Sequence, residues 1–86
     1  MKRKELKLPY APLMYGDRSM QVLYLQECLD HVLKRKGKKK LESIEPNYYG
    51  HETSEAVAAF QFSQKDIRIS GTYDKVTRAR LREAIK

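Results

Sequence analysis

The apolar residues in the first half of the chain repeat with the period of an α-helix. They are separated by three, four, three and one residues, at Val22, Leu25, Leu29, Val32 and Leu33. This spacing forms one apolar stripe along a helix, and either Asp17 or Ser19 can accept hydrogen bonds from the first free N–H groups. The pattern therefore predicts a first helix that ends in the charged, glycine-containing run 34–40.

A second helix is predicted directly after a tight turn. Asn47 and Gly50 are residue types that tolerate a positive φ, and Thr53 follows with a hydroxyl that can cap free N–H groups. We therefore expect a helix that starts near 51–54 and buries Val57 and Phe60 on one side.

This second helix should end near Lys65 or Asp66. Beyond it, apolar and polar residues alternate over 67–70, which predicts a short extended segment with Ile67 and Ile69 inserted into the core.

The first turn has a counterpart later in the chain. Residues 71–77, followed by Leu81, align with residues 47–53, followed by Val57, at an offset of 71 − 47 = 24 positions. A third helix should therefore begin around Asp74 or Lys75, and a repeated turn-helix unit organises the second half.

These elements predict an all-α fold, a compact three-helix bundle with two repeated turn-helix units and short extended connections. The 86 residues are 41% hydrophobic, which suits one small folded domain. We assign this domain to residues 13–86. Residues 1–12 are basic, and the prolines at 9 and 12 interrupt any helical period, so they are interpreted as an N-terminal arm or linker remnant.

Charge and cysteine content narrow the classes of function. The formal charge of +7 favours an anionic partner such as nucleic acid, a phosphate-rich wall polymer or a membrane surface. The single cysteine, Cys28, excludes an internal disulfide framework. No apolar run approaches the length of about 20 residues that spans a bilayer, and no hydrophobic signal region follows the basic N-terminus.

Three stretches of the chain carry short motifs in a fixed order. They are residues 16–26, with a leading Gly, a Val and a Leu-Gln; residues 49–61, with Tyr-Gly, Thr, Ala-Val and Phe-Gln; and residues 71–81, with Gly, Tyr, Thr and Leu. Taken together, these stretches resemble the peptidoglycan-binding domain family of three-helix modules. The resemblance covers residues 13–86. It departs from the family at Asn47 and Asp74, which replace glycines, at His51 and Lys75, which replace prolines, and in the lysine-rich run, which is longer here.

The resemblance implies a non-catalytic module that binds peptidoglycan or an anionic wall polymer. Such modules target a cell-wall hydrolase, for example a phage endolysin, through an attached or separate catalytic domain. The implied site of action is the bacterial cell wall. With no recognisable signal peptide, we expect synthesis in the cytoplasm and release by lysis, or occurrence as part of a larger protein.

Binding to sugars, peptide amides and carboxylates requires aromatic surfaces, polar partners and cations. The ligand-binding candidates are Tyr48, Tyr49, His51, Tyr73, Arg78 and Arg82. Burial in the core is the favoured interpretation of Tyr49 and Tyr73, and a solvated basic face is the common alternative for Arg78 and Arg82. Thr53 and Thr77 are expected to cap or brace their helices, and Gln26 and Gln61 to tie loop backbone to a helix.

Other classes of function fit fewer of these features. An enzyme would need a metal-ligand cluster or an activated nucleophile, and Cys28 has only His31 nearby in sequence, so we predict neither catalysis nor a cofactor. A nucleic-acid-binding helical domain would use the basic last helix, but this explanation gives the aromatic turns no role. A protein-docking module, with a partner peptide in the same groove, also remains open.

Overall fold

The computed structural model describes residues 5–35 and 45–86 of the chain. It contains three helices, α1 (Met20–Arg35), α2 (His51–Ser63) and α3 (Lys75–Ala84). In these two ranges extended pairing is limited to two isolated antiparallel bridges, Leu13 with Tyr73 and Arg18 with Tyr48. The predicted all-α architecture of three helices is confirmed. The lysine-rich run beyond Arg35 lies outside the described residues.

The apolar stripe of α1 forms the centre of the core. All five stripe residues predicted from the sequence are buried, as are Cys28 beside them and Val57, Phe60 and Leu81 from the other helices. Ser19 contacts the start of α1, where its Oγ accepts from the backbone N–H of Val22 at 3.4 Å. Asp17 does not cap this helix, because its carboxylate accepts from the backbone N–H of Met14 in the preceding turn.

The two repeated turns share backbone geometry. Asn47 and Gly71 have φ of 71° and 76°, and the helix N-caps Gly50 and Asp74 both have φ of −104°. Of the two turn residues that tolerate a positive φ, Asn47 adopts one and Gly50 does not, so only the first position of the repeat requires the left-handed conformation. Glycine is needed at 50 for space, because a Cβ there would lie 2.9 Å from the Tyr48 ring.

The two helix starts are capped differently. Asp74 accepts from the backbone N–H of Thr77 at 2.8 Å and from its hydroxyl at 2.7 Å. Gly50 supplies no side chain, and the hydroxyl of Thr53 contacts the carbonyl oxygen of Tyr48 rather than a free N–H group. Thr53 was expected to cap or brace its helix, and its side chain does not cap α2. The predicted start of α3 is confirmed.

The segment after α2 differs from its prediction. The helix ends at Ser63, and Asp66 adopts a φ of 68°, which turns the chain before the predicted extended piece. Ile67 is half-buried, but Ile69 is 54% exposed and is not inserted into the core. The alternation of apolar and polar residues did not predict this conformation, because the backbone N–H groups of Ser70 and Gly71 are held by the side chain of Gln61.

Residues 5–12, which we call the N-terminal strap, pack against the domain. Leu6 and Leu8 contact the core cluster, and Pro9 is fully buried. The carbonyl oxygen of Pro9 accepts two hydrogen bonds, both at 3.1 Å, from the hydroxyl of Tyr73 and from Nε of Arg78. The strap is thus part of the fold in this structure and not a detached arm.

Within the described residues, no helix is both long enough and apolar enough to cross a membrane. The same residues contain no group of three His, Cys, Asp or Glu side chains placed to hold a metal ion.

Candidate functional site

A buried glutamine joins α1 to the first turn and to the start of α2. The Nε2 of Gln26 donates to the hydroxyl of Thr53 and to the carbonyl oxygens of Glu45 and Tyr48, each at 3.0 Å. Its Oε1 accepts from the backbone N–H of Asn47 at 3.1 Å. Because the amide satisfies groups on both sides, it fixes the turn relative to the helix.

Gln61 repeats this arrangement one unit later. Its Nε2 donates to the hydroxyl of Thr77 at 2.9 Å and to the carbonyl oxygen of Thr72 at 3.0 Å. Its Oε1 accepts from the backbone N–H groups of Ser70 and Gly71, both at 2.9 Å. We call the Gln26–Thr53 and Gln61–Thr77 pairs the two braces. The predicted structural role of both glutamines and both threonines is confirmed.

The two turns contact each other inside the molecule. The hydroxyl of Tyr49 donates to the carbonyl oxygen of Gly71, and the hydroxyl of Ser54 donates to the same oxygen at 3.3 Å. Tyr49 and Tyr73 have no exposed side-chain area, and burial raises the pKa of both phenols above the usual range. The favoured interpretation of these two tyrosines as core is confirmed, and they offer no surface to a ligand.

Tyr48 is half-buried and has neighbours on its ring. The guanidinium of Arg18 lies 4.5 Å from the ring centroid and also pairs with Glu45 at 2.7 Å. The ring edge lies against Gly50. One aromatic face of Tyr48 is therefore already occupied by a cation.

His51 lies at the start of α2 and is largely exposed. Its Nε2 is 2.8 Å from a carboxylate oxygen of Glu55, one helical turn further along. This pair and the Tyr48 cluster both lie at the first turn.

An open groove runs between the N-terminal strap and α3. It has a volume of about 470 Å³ and is lined by Tyr10, Ala11, Lys75, Arg78, Ala79 and Arg82. We call it the strap groove. Of the predicted site residues it brings together Arg78 and Arg82, and it does not include Tyr48 or His51.

The strap groove is cationic on one wall and aromatic on the other. None of its lining residues is acidic, and three carry positive charge. Arg78 is fixed by its Nε bond to Pro9, while the side chains of Lys75 and Arg82 form no ion pair or hydrogen bond with the part of the chain that is described. Tyr10 is 70% exposed, and its backbone N–H donates to the side chain of Gln21.

A second concavity lies between the strap and the C-terminal half of α1. Its lining is of mixed charge, comprising Glu5, Leu6, Glu27, Asp30, His31, Lys34 and Ile85. Cys28 on the same helix is buried, and its thiol donates to the carbonyl oxygen of Lys7. Burial, with a smaller contribution from Glu27, raises the pKa of this thiol to about 11, so a thiolate is disfavoured at neutral pH.

Sequence reasoning missed Tyr10 and Lys75 as site candidates. Lys75, Arg78 and Arg82 follow a spacing of i, i+3 and i+7, which places cations on one helix face and could have identified that wall. No sequence pattern indicated Tyr10. Its position in the groove depends on the carbonyl oxygen of Pro9, which accepts hydrogen bonds from Tyr73 and Arg78, 64 and 69 positions later in the chain.

Comparison with known proteins gave no match: no family model, no curated protein and no solved structure is similar to this chain.

Proposed function

We propose that this chain is a non-catalytic module that binds the peptidoglycan of the bacterial cell wall and concentrates an associated wall hydrolase on that polymer. The proposal rests on the sequence resemblance. The structure supports it through one observation, the two braces.

Four of the residues that carry the resemblance form the braces. Gln26 and Gln61 end the Leu-Gln and Phe-Gln motifs, and Thr53 and Thr77 follow the two turns. The repeated sequence pattern therefore corresponds to a repeated structural unit, as the resemblance to a module with two turn-helix units leads us to expect.

A binding role also fits the chemistry of the surface. The structure offers cations and an exposed aromatic ring, and these groups suit the carboxylates and sugar faces of the wall. Because single exposed charge pairs contribute little, useful affinity would require several contacts or many repeats of the polymer.

The test is co-sedimentation of the purified chain with insoluble cell-wall sacculi. We expect retention at physiological salt and at about 0.3 M salt, because contacts to sugars and peptides are screened less than contacts to a polyanion. Binding to a DNA duplex should fall steeply over the same range.

Two results would contradict the proposal. The first is a chain that stays in the supernatant at physiological salt, and the second is retention by DNA that outlasts retention by sacculi as salt rises. The second result would favour the nucleic-acid alternative.

A further inference from the structure

We infer that the strap groove is the anion-binding site of this chain, where Lys75, Arg78 and Arg82 hold a carboxylate or phosphate of the wall polymer and Tyr10 packs against the adjoining sugar ring. This inference rests on the proposed function and assigns its ligand-contacting surface.

The cations of the strap groove lie on one face of α3. On an α-helix with 3.6 residues per turn, Lys75, Arg78, Ala79 and Arg82 fall within an arc of roughly 100°. Thr77 and Leu81 face the core instead, and Arg80 contacts the carbonyl oxygen of Lys65 outside this arc. The positive charge is therefore collected on the wall that faces the strap.

These cations are available to a ligand. Of the three, only Arg78 has a hydrogen-bond partner in the described ranges, and that bond uses one of its five N–H donors. The Pro9 carbonyl holds its Nε, so the remaining donors are pre-positioned at the groove. An oxyanion would thus meet an oriented guanidinium flanked by two uncompensated cations.

The opposite wall of the groove presents an aromatic ring. Tyr10 is held through its backbone N–H and through the buried Pro9 beside it, while its ring remains exposed. An aromatic ring facing a row of cations suits a ligand that is a flat sugar on one side and an anion on the other. The small side chains of Ala11 and Ala79 leave the space between the two walls open.

The test compares a groove double variant, Lys75→Ala with Arg82→Ala, with a control double variant, Lys65→Ala with Lys86→Ala. All four side chains are exposed, and both double variants remove two positive charges. Apparent affinity for sacculi should fall about tenfold in the groove variant, taking about threefold for each exposed charge contact, and less than about twofold in the control.

Tyr10→Ala tests the aromatic wall, with Phe62→Ala as the control. Phe62 is 77% exposed and lies on α2. Tyr10→Ala should weaken binding about threefold or more, and Phe62→Ala should leave it unchanged. Helical circular dichroism of every variant should match that of the parent chain, because none of these side chains is buried.

The source of the anion is distinguished by two preparations of the same sacculi, one intact and one stripped of phosphodiester polymers. If the groove and control variants differ in affinity for intact sacculi but not for stripped sacculi, the groove binds a wall phosphate. If the difference in affinity persists on stripped sacculi, the groove binds the carboxylates of the peptide stems.

Failures of the inference and of the proposed function are distinguishable. If the parent chain binds sacculi and the groove and control variants bind equally well on both preparations, the groove is not the site although the module function stands. If the parent chain does not bind sacculi, both fail. If groove variants lose only DNA binding, the groove is a nucleic-acid contact and the inference is overturned.

Discussion

At the scale of single residues, the two repeated turns show which backbone conformation the first position of each turn must adopt. The first position has a φ near +70° and is filled once by asparagine and once by glycine. Asparagine tolerates this conformation better than most residues, which is why the turn is retained without glycine. At Gly71 a second restriction applies, because a Cβ there would lie 2.6 Å from the hydroxyl oxygen of Ser54.

Gly71→Ala should therefore destabilise the chain more than Gly16→Ala. Gly16 has a φ of 99°, but a Cβ at this position would have no atom within 4 Å, so alanine there meets only the dihedral cost of about 1–2 kcal/mol. At Gly71 the contact with Ser54 should add at least about 1 kcal/mol. Urea unfolding of the two variants measures the difference, and equal losses would contradict this account.

The lowered pKa of Asp74 predicts that the free energy of unfolding falls at acidic pH. Burial opposes ionisation of its carboxyl, but hydrogen bonds from Thr77 and the charge of Arg68 outweigh this effect and lower the pKa below its ordinary value. A lowered folded-state pKa contributes stability that is complete above the unfolded pKa of about 3.9 and is lost as pH falls through the folded value.

Asp74→Ala should accordingly cost about 1 kcal/mol at pH 7, the usual loss for an N-cap, and progressively less as pH drops below about 4. Unfolding by urea at pH 7 and pH 3 measures both values. A gap between parent and variant that stays constant over this range would show that the ionised carboxylate is not the stabilising form.

At the scale of elements, the braces explain how short helices are held at defined angles. Each glutamine lies on one helix and reaches the threonine at the start of the next. The connecting backbone is bonded to the same amide, so loop and helix start are positioned together. Each turn-helix unit is thus anchored to the helix before it.

Gln61→Met should lower the free energy of unfolding by about 3 kcal/mol. The substitution keeps the size of the side chain but leaves the buried N–H of Gly71 and the part-buried N–H of Ser70 without their acceptor, at about 1–3 kcal/mol for each unsatisfied group. Gln64→Met is the control, since among the described residues that amide bonds only to the exposed Ser63. This substitution should change the free energy of unfolding by less than about 0.5 kcal/mol. Similar effects of both substitutions would exclude the brace as a major stabilising element.

The sequence was informative for features that depend on local periodicity. The sequence predicted the apolar stripe of α1, the start of α3 and the roles of Gln26 and Gln61. Apolar spacing and turn-forming residue types can be recognised within short stretches of sequence. The packing of the strap, the exposure of Ile69 and the place of Tyr10 were not predicted. Each depends on bonds between distant segments, and single-sequence patterns carry little information about such contacts.

At the scale of the whole molecule, the chain is compact for its length. Its radius of gyration is 11.7 Å, close to the value of about 12 Å expected for a single domain of 86 residues. The core that supports it includes Cys28, which lies on α1 and has no exposed area. Reagents can therefore reach this thiol only when the structure opens.

Cys28 should act as a probe of opening. Thiol-reactive reagents at about pH 8 should modify it slowly, because it is buried and its pKa is raised to about 11. Added urea should accelerate the modification in parallel with the loss of helical circular dichroism. Rapid modification of the fully helical protein would mean that the core around α1 opens locally.

The double acceptor at Pro9 has a consequence for the order in which the fold can form on the ribosome. Its two donors, Tyr73 and Arg78, are encoded 64 and 69 residues after it. Until α3 has left the exit tunnel, the nascent strap has no partner for this carbonyl, however early α1 and α2 associate. The strap can bond to Cys28 and Gln21 of α1 earlier, but completion of the groove between strap and α3 must be among the last steps of biosynthetic folding.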